Sequence, residues 1–293
     1  MPTHVVEKTV GDYNVVGYSL AGEETTVALP ELNVCFDAGR APREIIPIDT
    51  LCVSHGHMDH AAGIPYYLSQ RSFIGTSPGR VIIHQRLAPH VADLMACWGR
   101  IEGHETPADI VGIDDGQEVA LRRDLFIRAF AVRHGAFALG FSLIERRHKL
   151  KPEHLGKTGP QLVELKKQGI AIENSIEVPL VAFAGDTADG PFFDLDHVRN
   201  ARLLIMECTF FDPEHVVRAR AGKHIHVRQL RKIMPRLRNR HILLTHVTRR
   251  TDLRAAKRIL AHHVEAADLE RLSFLMDRPP RRRAPRPVPA QSS

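Results

Sequence analysis

Short apolar runs broken by turn-forming residues fill the first part of the chain, and their spacing predicts strands at 15–20, 25–29 and 33–36. Asp37-Ala38-Gly39 ends the third run with residues that favour a turn. A further apolar strand at 50–53 leads straight into the segment SHGHMDHAAG. Helical spacing predicts helices at 64–69 and 88–98 around a strand at 81–84, followed by strands at 125–132 and 141–145. Residues 146–178 break the pattern. They are rich in Lys and Glu with scattered Gly and Pro, which predicts an excursion carrying one short helix at 161–168. Strands at 180–184, 203–207 and 241–245, with helices near 226–234 and at 252–263, complete the reading. Strands alternating with helices point to an α/β fold. No linker divides the middle of the chain, so residues 1–277 are expected to form one domain and the Pro/Arg-rich 278–293 a disordered tail.

The loops that follow strands carry His55, His134, Asp186 and His246. In α/β enzymes this is where working residues are placed. The densest segment is His55-Gly56-His57-Met58-Asp59-His60, three imidazoles and a carboxylate within six residues directly after a strand. Neutral imidazole nitrogen and carboxylate oxygen suit Zn²⁺ and related ions. The chain has 18 histidines, so an isolated one says little, but the HxHxDH spacing is not an accident of composition. Gly56, Ala61, Ala62 and Gly63 are small, as close approach of backbone to metals would require. Six residues supply only part of a two-metal site, and His134, Asp186 and His246 are the candidates for the rest.

Composition changes this picture little. A hydrophobic fraction of 43% and a charged fraction of 25% are those of an ordinary globular protein. No apolar run approaches the ~18 residues that span a bilayer, and the first residues do not read as a secretory signal. Cys35, Cys52, Cys97 and Cys208 form no CxxC pair, so a cytoplasmic protein with reduced thiols and no membrane contact is expected. The net charge is +6, but removing the five arginines of 278–293 leaves +1 for residues 1–277, so overall charge is weak evidence for nucleic acid.

These segments resemble the metallo-β-lactamase superfamily and, in detail, its ribonuclease Z branch, most of all the small plant-type members. The resemblance runs from about residue 15 to 277 and is carried by FDAGR (36–40), SHGHMDHAAGIPYYLSQR (54–71), RHGAFALGF (133–141), KLKPEHLG (149–156), VAFAGDT (181–187), LLIMECTFFD (203–212), HIHVRQL (224–230) and ILLTHVTRR (242–250). It implies an αββα sandwich, two mixed β-sheets flanked by helices. It implies two Zn²⁺ (Mn²⁺ or Fe²⁺ being alternatives), one held by His55, His57 and His134, the other by Asp59, His60 and His246, with Asp186 bridging. A metal-bridging hydroxide would attack, with Asp59 orienting it, and His224, positioned by Glu207, would protonate the leaving oxygen; His226 is the neighbour that could be mistaken for that acid. The implied substrate is the 3′ trailer of precursor tRNA, and the implied partner a second copy, with the 146–178 excursion gripping the tRNA elbow across the homodimer.

From 215 to 251 there is no acidic residue but eleven basic ones, bracketing His224 and His246. Such a stretch beside a phosphodiesterase-like centre points to phosphate contacts, with Arg228, Arg231, Lys232, Arg249 and Arg250 as candidates and Lys149 and Lys151 added from the excursion. The family's His-Phe-Ser-x-Arg-Tyr appears here as His246-Val247-Thr248-Arg249-Arg250-Thr251, without either aromatic. Two other readings compete: a hydrolase of another ester (a cyclic nucleotide, thioester or lactone) and an RNA-binding module without chemistry. The complete ligand set speaks against the second.

Overall fold

In the computed structural model the described residues are 5–135 and 137–277; the Arg/Pro-rich segment 278–293 lies outside them. Fourteen strands form two sheets among these residues. The first holds β1 (Val6–Val10), β2 (Tyr13–Leu20), β3 (Glu24–Leu29), β4 (Val34–Phe36), β5 (Thr50–Val53), β6 (Arg80–His84) and β7 (Asp109–Ile113), side by side in that order. The second holds β8 (Glu118–Arg122), β9 (Leu125–Ala131), β10 (Leu139–Leu150), β11 (Glu173–Phe183), β12 (Leu203–Glu207), β13 (His241–Thr245) and β14 (Leu272–Phe274), also neighbour to neighbour. Strands β4 to β7 are parallel, as are β11 to β14, and the remaining pairs are antiparallel.

Several central strands are buried along their whole length because both faces of each sheet are covered. Every residue of β3, β4, β5 and β12 is buried. Val27, Phe36 and Cys52 of the first sheet meet Phe141, Phe183 and Ile205 of the second, with Phe36 and Phe183 stacked at 4.7 Å. On the outer face of the first sheet lie α1 (Met58–Ala61), α2 (Ile64–Phe73) and α3 (Ala88–Glu102), the last two burying Tyr67, Leu68, Val91 and Met95. Beyond the second sheet lie α5 (Asp196–Arg199), α6 (Val216–Gly222), α7 (Val227–Ile233), α8 (Leu253–Ala261) and α9 (Ala266–Leu269), while α4 (Gly159–Lys167) stands apart in the excursion. The layers are helix, sheet, sheet, helix, as the resemblance implies.

The strands expected at 50–53, 203–207 and 241–245 have those limits. Two expectations need correction. The 146–178 excursion is not one short helix alone: past Glu145, β10 leaves β9 but stays paired with β11 to Leu150 and Glu173, a two-stranded ribbon with α4 at its far end. Arg146 belongs to that ribbon, bound to Glu118 and Glu177 and lying over the Phe126 ring at 4.2 Å. Nor is Gly63 small on account of a metal. A Cβ there would meet Ala41 N at 2.5 Å and Ala38 O at 2.9 Å, so it is the close packing of the α2 start on the 37–41 loop that demands glycine. No described helix is long and apolar enough to cross a membrane.

Candidate metal centre

Ligands in parallel sheets gather beyond the carboxyl ends of strands. Here Asp37 follows β4, His55 follows β5, Asp186 follows β11, Glu207 ends β12 and His246 follows β13. Strand β9 runs in the same sense as β11, since both are antiparallel to β10, which brings His134 to the same end. Two backbone bonds tie the sheets together there: Ala21 N–H donates to Val247 O at 3.1 Å and Leu139 N–H to Ser54 O at 2.9 Å. Asp37 and His246 hold left-handed backbones, φ 57° and 58°, a conformation that Asp and His tolerate better than most residues.

His55, His60, His134, Asp186 and His246 are buried, Asp59 is half-buried and His57 is exposed. Asp186 is the hub. Its Oδ2 lies 3.2 Å from His60 Nε2, 3.2 Å from His246 Nε2, 3.9 Å from His134 Nε2 and 4.0 Å from His55 Nε2. Around it, the donor atoms of His55, His57 and His134 lie within 4.8 Å of one another, as do those of Asp59, His60 and His246.

The other ring nitrogen of each buried histidine is committed elsewhere, which sets its tautomer. His60 Nδ1–H donates to Asp37 Oδ2 at 2.7 Å. The Ser54 hydroxyl donates to the same oxygen at 2.9 Å and accepts from His55 Nδ1 at 2.9 Å. His246 Nδ1 donates to Thr209 Oγ1 at 3.1 Å, and His134 Nδ1 to Lys223 O at 3.4 Å. In every case the Nε2 lone pair is left pointing inward.

The donor set fits a cation. His60 Nε2 and His246 Nε2 are buried without any hydrogen-bond partner, which costs free energy unless something electropositive meets them. Burial, aided by the neighbouring His60, lowers the His55 pKa to about 2 and keeps that ring neutral, as a ligand must be. Burial opposes the charged forms of Asp59 and Asp186, yet the surrounding histidines hold both carboxyls below the usual carboxylate range. Around His60 burial is likewise outweighed by Asp186 and Asp37, which raise its pKa well above normal, so the field here favours positive charge.

Beside the hub, His224 Nδ1 donates to Glu207 Oε1 at 2.8 Å, leaving Nε2 facing outward. Glu207 is fully buried and saturated, accepting also from Thr187 N, Ile225 N and the Thr209 hydroxyl. Burial would lower the His224 pKa, but the bond to Glu207 and its charge, with Asp186, raise it. His226 is used up structurally: its Nε2 donates to Asp212 O at 2.8 Å and its Nδ1 accepts from Arg228 N–H at 3.2 Å, capping α7. That separates the two histidines of HIH.

The His224 ring divides two cavities. One, of about 610 Å³, opens over His57, Asp59, Asp186 and His246 and is rimmed by Arg218, Arg249 and Arg250. The other, of about 860 Å³, is lined by Arg133, Arg220, Lys223 and Arg228, and its one carboxylate, Asp189, is ion-paired with Arg236 at 2.7 Å. Of the basic residues singled out in the sequence, Arg228, Arg249 and Arg250 therefore stand by the centre. Arg231 lines a separate cavity with His262 and His263, Lys232 is exposed on α7, and Lys149 and Lys151 lie at the far end of the ribbon. The sequence pattern did not single out Asp37, Ser54 and Thr209, the residues that orient the histidines. Asp37 was visible as an Asp closing a strand, but it reads there as a turn former.

The family described as "Beta-lactamase superfamily domain" matches residues 28–247. The chain is 34% identical over 241 residues to tRNase Z TRZ1 of Arabidopsis thaliana, covering 81% of this chain and 86% of that one. It is 31% identical over 245 residues to the chloroplastic tRNase Z TRZ2 of the same plant, covering 81% and 68%. The chain belongs to the ribonuclease Z family. Among solved structures, the metallo-β-lactamase-fold protein YhfI from Bacillus subtilis superposes with a TM-score of 0.61 at 14% identity, covering 88% of this chain and 93% of that one, a likeness of fold. As a ribonuclease Z family member the protein is a metal-dependent hydrolase acting on phosphodiester bonds.

Proposed function

We propose that this chain is a zinc-dependent endoribonuclease that removes the 3′ trailer of precursor tRNA. The observation that carries the reading is the position of His224: a histidine braced by a buried glutamate, its ring 5.0 Å from His134 and 5.2 Å from His246, on the wall between the Asp186 hub and a basic cavity. His55, His57 and His134 would hold one Zn²⁺, Asp59, His60 and His246 the other, and Asp186 both; Mn²⁺ or Fe²⁺ suits the same donors. Bound there, two such ions supply Lewis acidity and a hydroxide at neutral pH. Asp59, fixed by the Gly22 N–H at 3.0 Å, orients the attacking oxygen. As that oxygen bonds to phosphorus, the bond to the leaving nucleoside oxygen breaks, and His224 gives that oxygen its Nε2 proton. Glu207 keeps the Nδ1 proton in place throughout.

Arg228, Arg249 and Arg250 would neutralise phosphates on either side of the cut, while Lys149, Lys151 and the ribbon hold a more distant part of the RNA. Residues 1–277 work as one hydrolase domain in a cytoplasmic setting, in keeping with four free cysteines. The protein acts as a homodimer on this reading. Leu94, Trp98 and Ile101 follow one another at i, i+4 and i+7 on the exposed face of α3, with Phe73 exposed on neighbouring α2, an apolar stripe suited to a second copy. Light scattering of wild type and Trp98→Glu tests this: a wild-type monomer would refute it.

The deciding assay sets zinc-loaded protein against precursor tRNA with a 3′ trailer beside a bis-aryl phosphodiester. Release of the trailer is expected; cleavage of the small ester alone would sink the tRNA assignment.

A further inference from the structure

Phe137 lies three residues beyond His134 and holds φ at +62°, a backbone that bulky side chains enter only under constraint. Burial does not explain it, since the residue keeps 38% of its surface exposed. The other non-glycine residues in this region have local reasons: Asn33, Asp37 and His246 are types that tolerate it, Ala41 packs under Gly63, and Lys223 caps α6. Phe137 instead presents an aromatic ring at the surface.

Its surroundings form a platform. The His84 ring sits 5.0 Å away, tilted by 42°, and the Arg86 guanidinium lies over the ring at 5.5 Å. His84 is itself anchored, its Nδ1 accepting from Arg86 N–H at 3.1 Å and its Nε2 lying 3.5 Å from Asp114. The platform borders the centre. Leu139, two residues on, donates to Ser54 O beside His55, and a Cβ on Gly56 would meet the Leu87 side chain at 3.8 Å. Three residues of chain put Phe137 Cα at most about 11 Å from His134 Cα. Neither cavity beside His224 is lined by it, so this is a separate surface on the His55–His57–His134 side.

A surface aromatic ring in contact with a guanidinium beside a phosphodiester-cleaving centre has the chemistry of a base-stacking site. We propose that Phe137, backed by His84 and Arg86, stacks an unpaired nucleobase next to the scissile phosphate. This rests on the RNA-cleaving reading above.

The test uses metal-loaded wild type, Phe137→Asn, which accepts the left-handed backbone, and Phe137→Tyr, on precursor tRNA with one abasic nucleotide moved in turn across the cut. Wild type should show a KM raised roughly five- to a hundredfold at one abasic position, the range for losing one base–aromatic stack. Phe137→Asn should show the same rise on intact RNA and none beyond it at that position, and Phe137→Tyr should restore the wild-type response. A wild-type KM in Phe137→Asn, or an abasic penalty in that variant equal to wild type's at every position, overturns the platform. Failure of the wild type to cut any precursor tRNA is a separate result: it overturns the RNA-cleaving reading, and the platform with it.

Discussion

At one end of the second sheet, β9, β11, β12 and β13 deliver His134, Asp186, Glu207 and His246 into a buried cluster whose second nitrogens and oxygens are nearly all spoken for. At the other end, β10 and β11 run on as an exposed ribbon carrying Lys149 and Lys151. The strand between spans about 36 Å at ~3.3 Å per residue, so the two ends cannot touch the same few atoms of a substrate. Chemistry at the first end depends on positions fixed by buried hydrogen bonds, where one lost partner is costly. Binding at the second depends on charge spread over a surface, where single residues matter little and salt matters much.

The sharpest way to break this contrast is His224→Ala. It should lower kcat by about 10²–10⁴-fold, the usual worth of a general acid, while metal analysis finds the protein as loaded as wild type. Loss of metal would make His224 a ligand and void its assignment as acid. Next, Asp37→Ala leaves Ser54 and the His60 Nδ1–H without their acceptor. Metal affinity should fall by about 10–100-fold, though Asp37 touches no metal in the proposed set; an unaltered affinity would show that tautomer control is not needed.

Arg228→Glu and Arg231→Glu, compared side by side, test the placement of the basic patch. The first should weaken RNA binding and cut the slope of log affinity against log salt by roughly 0.7–0.9 per phosphate lost, the second much less. Equal effects would show that the cavity beside His224 is not the route of the chain. Smaller again, joint replacement of Lys149 and Lys151 by Ala should raise KM for full precursor tRNA a few-fold but not for a short RNA that ends before the ribbon.

Closer to the first end than to the ribbon sits His197, whose Nδ1 meets Ser142 Oγ of β10 at 2.8 Å. Burial, with Arg128 adding to it, lowers its pKa to about 4. The fold therefore prefers the neutral ring, and its contribution is present above the unfolded value of ~6.5 and lost as pH falls towards 4. Melting temperature followed across that window should drop less in His197→Gln than in wild type; parallel curves would show that this ring does not contribute to the pH dependence of stability.

Much of the candidate centre was legible in the sequence, because its candidate ligands are chemically distinctive and follow apolar strands. HxHxDH, His134, Asp186 and His246 needed only residue type and local pattern. What escaped was the support: Asp37, Ser54 and Thr209 are ordinary residues until a ring nitrogen is found against them. The HIH pair was readable only as a choice, and it took the Asp212 and Arg228 contacts of His226 to separate them. The basic run of 215–251 looked like one surface, yet Arg228 at the start of α7 lines the cavity at His224 and Arg231, nearly a turn further on, lines another.

The same division holds for the fold. All ten interior strands of the two sheets were visible at least in part as apolar runs, where both their faces are buried; the exposed ribbon halves of β10 and β11 were not. The four that were not, β1, β7, β8 and β14, are the four sheet edges. Edge strands are half solvated, and polar residues there weaken any hydrophobic period. The sequence alone determined which segments must be buried and which side chains can bind a cation. Only the tertiary structure decided where the sheets stop, which nitrogen of each histidine faces Asp186, and that Phe137 keeps its ring at the surface against His84 and Arg86, because those depend on partners distant in the chain.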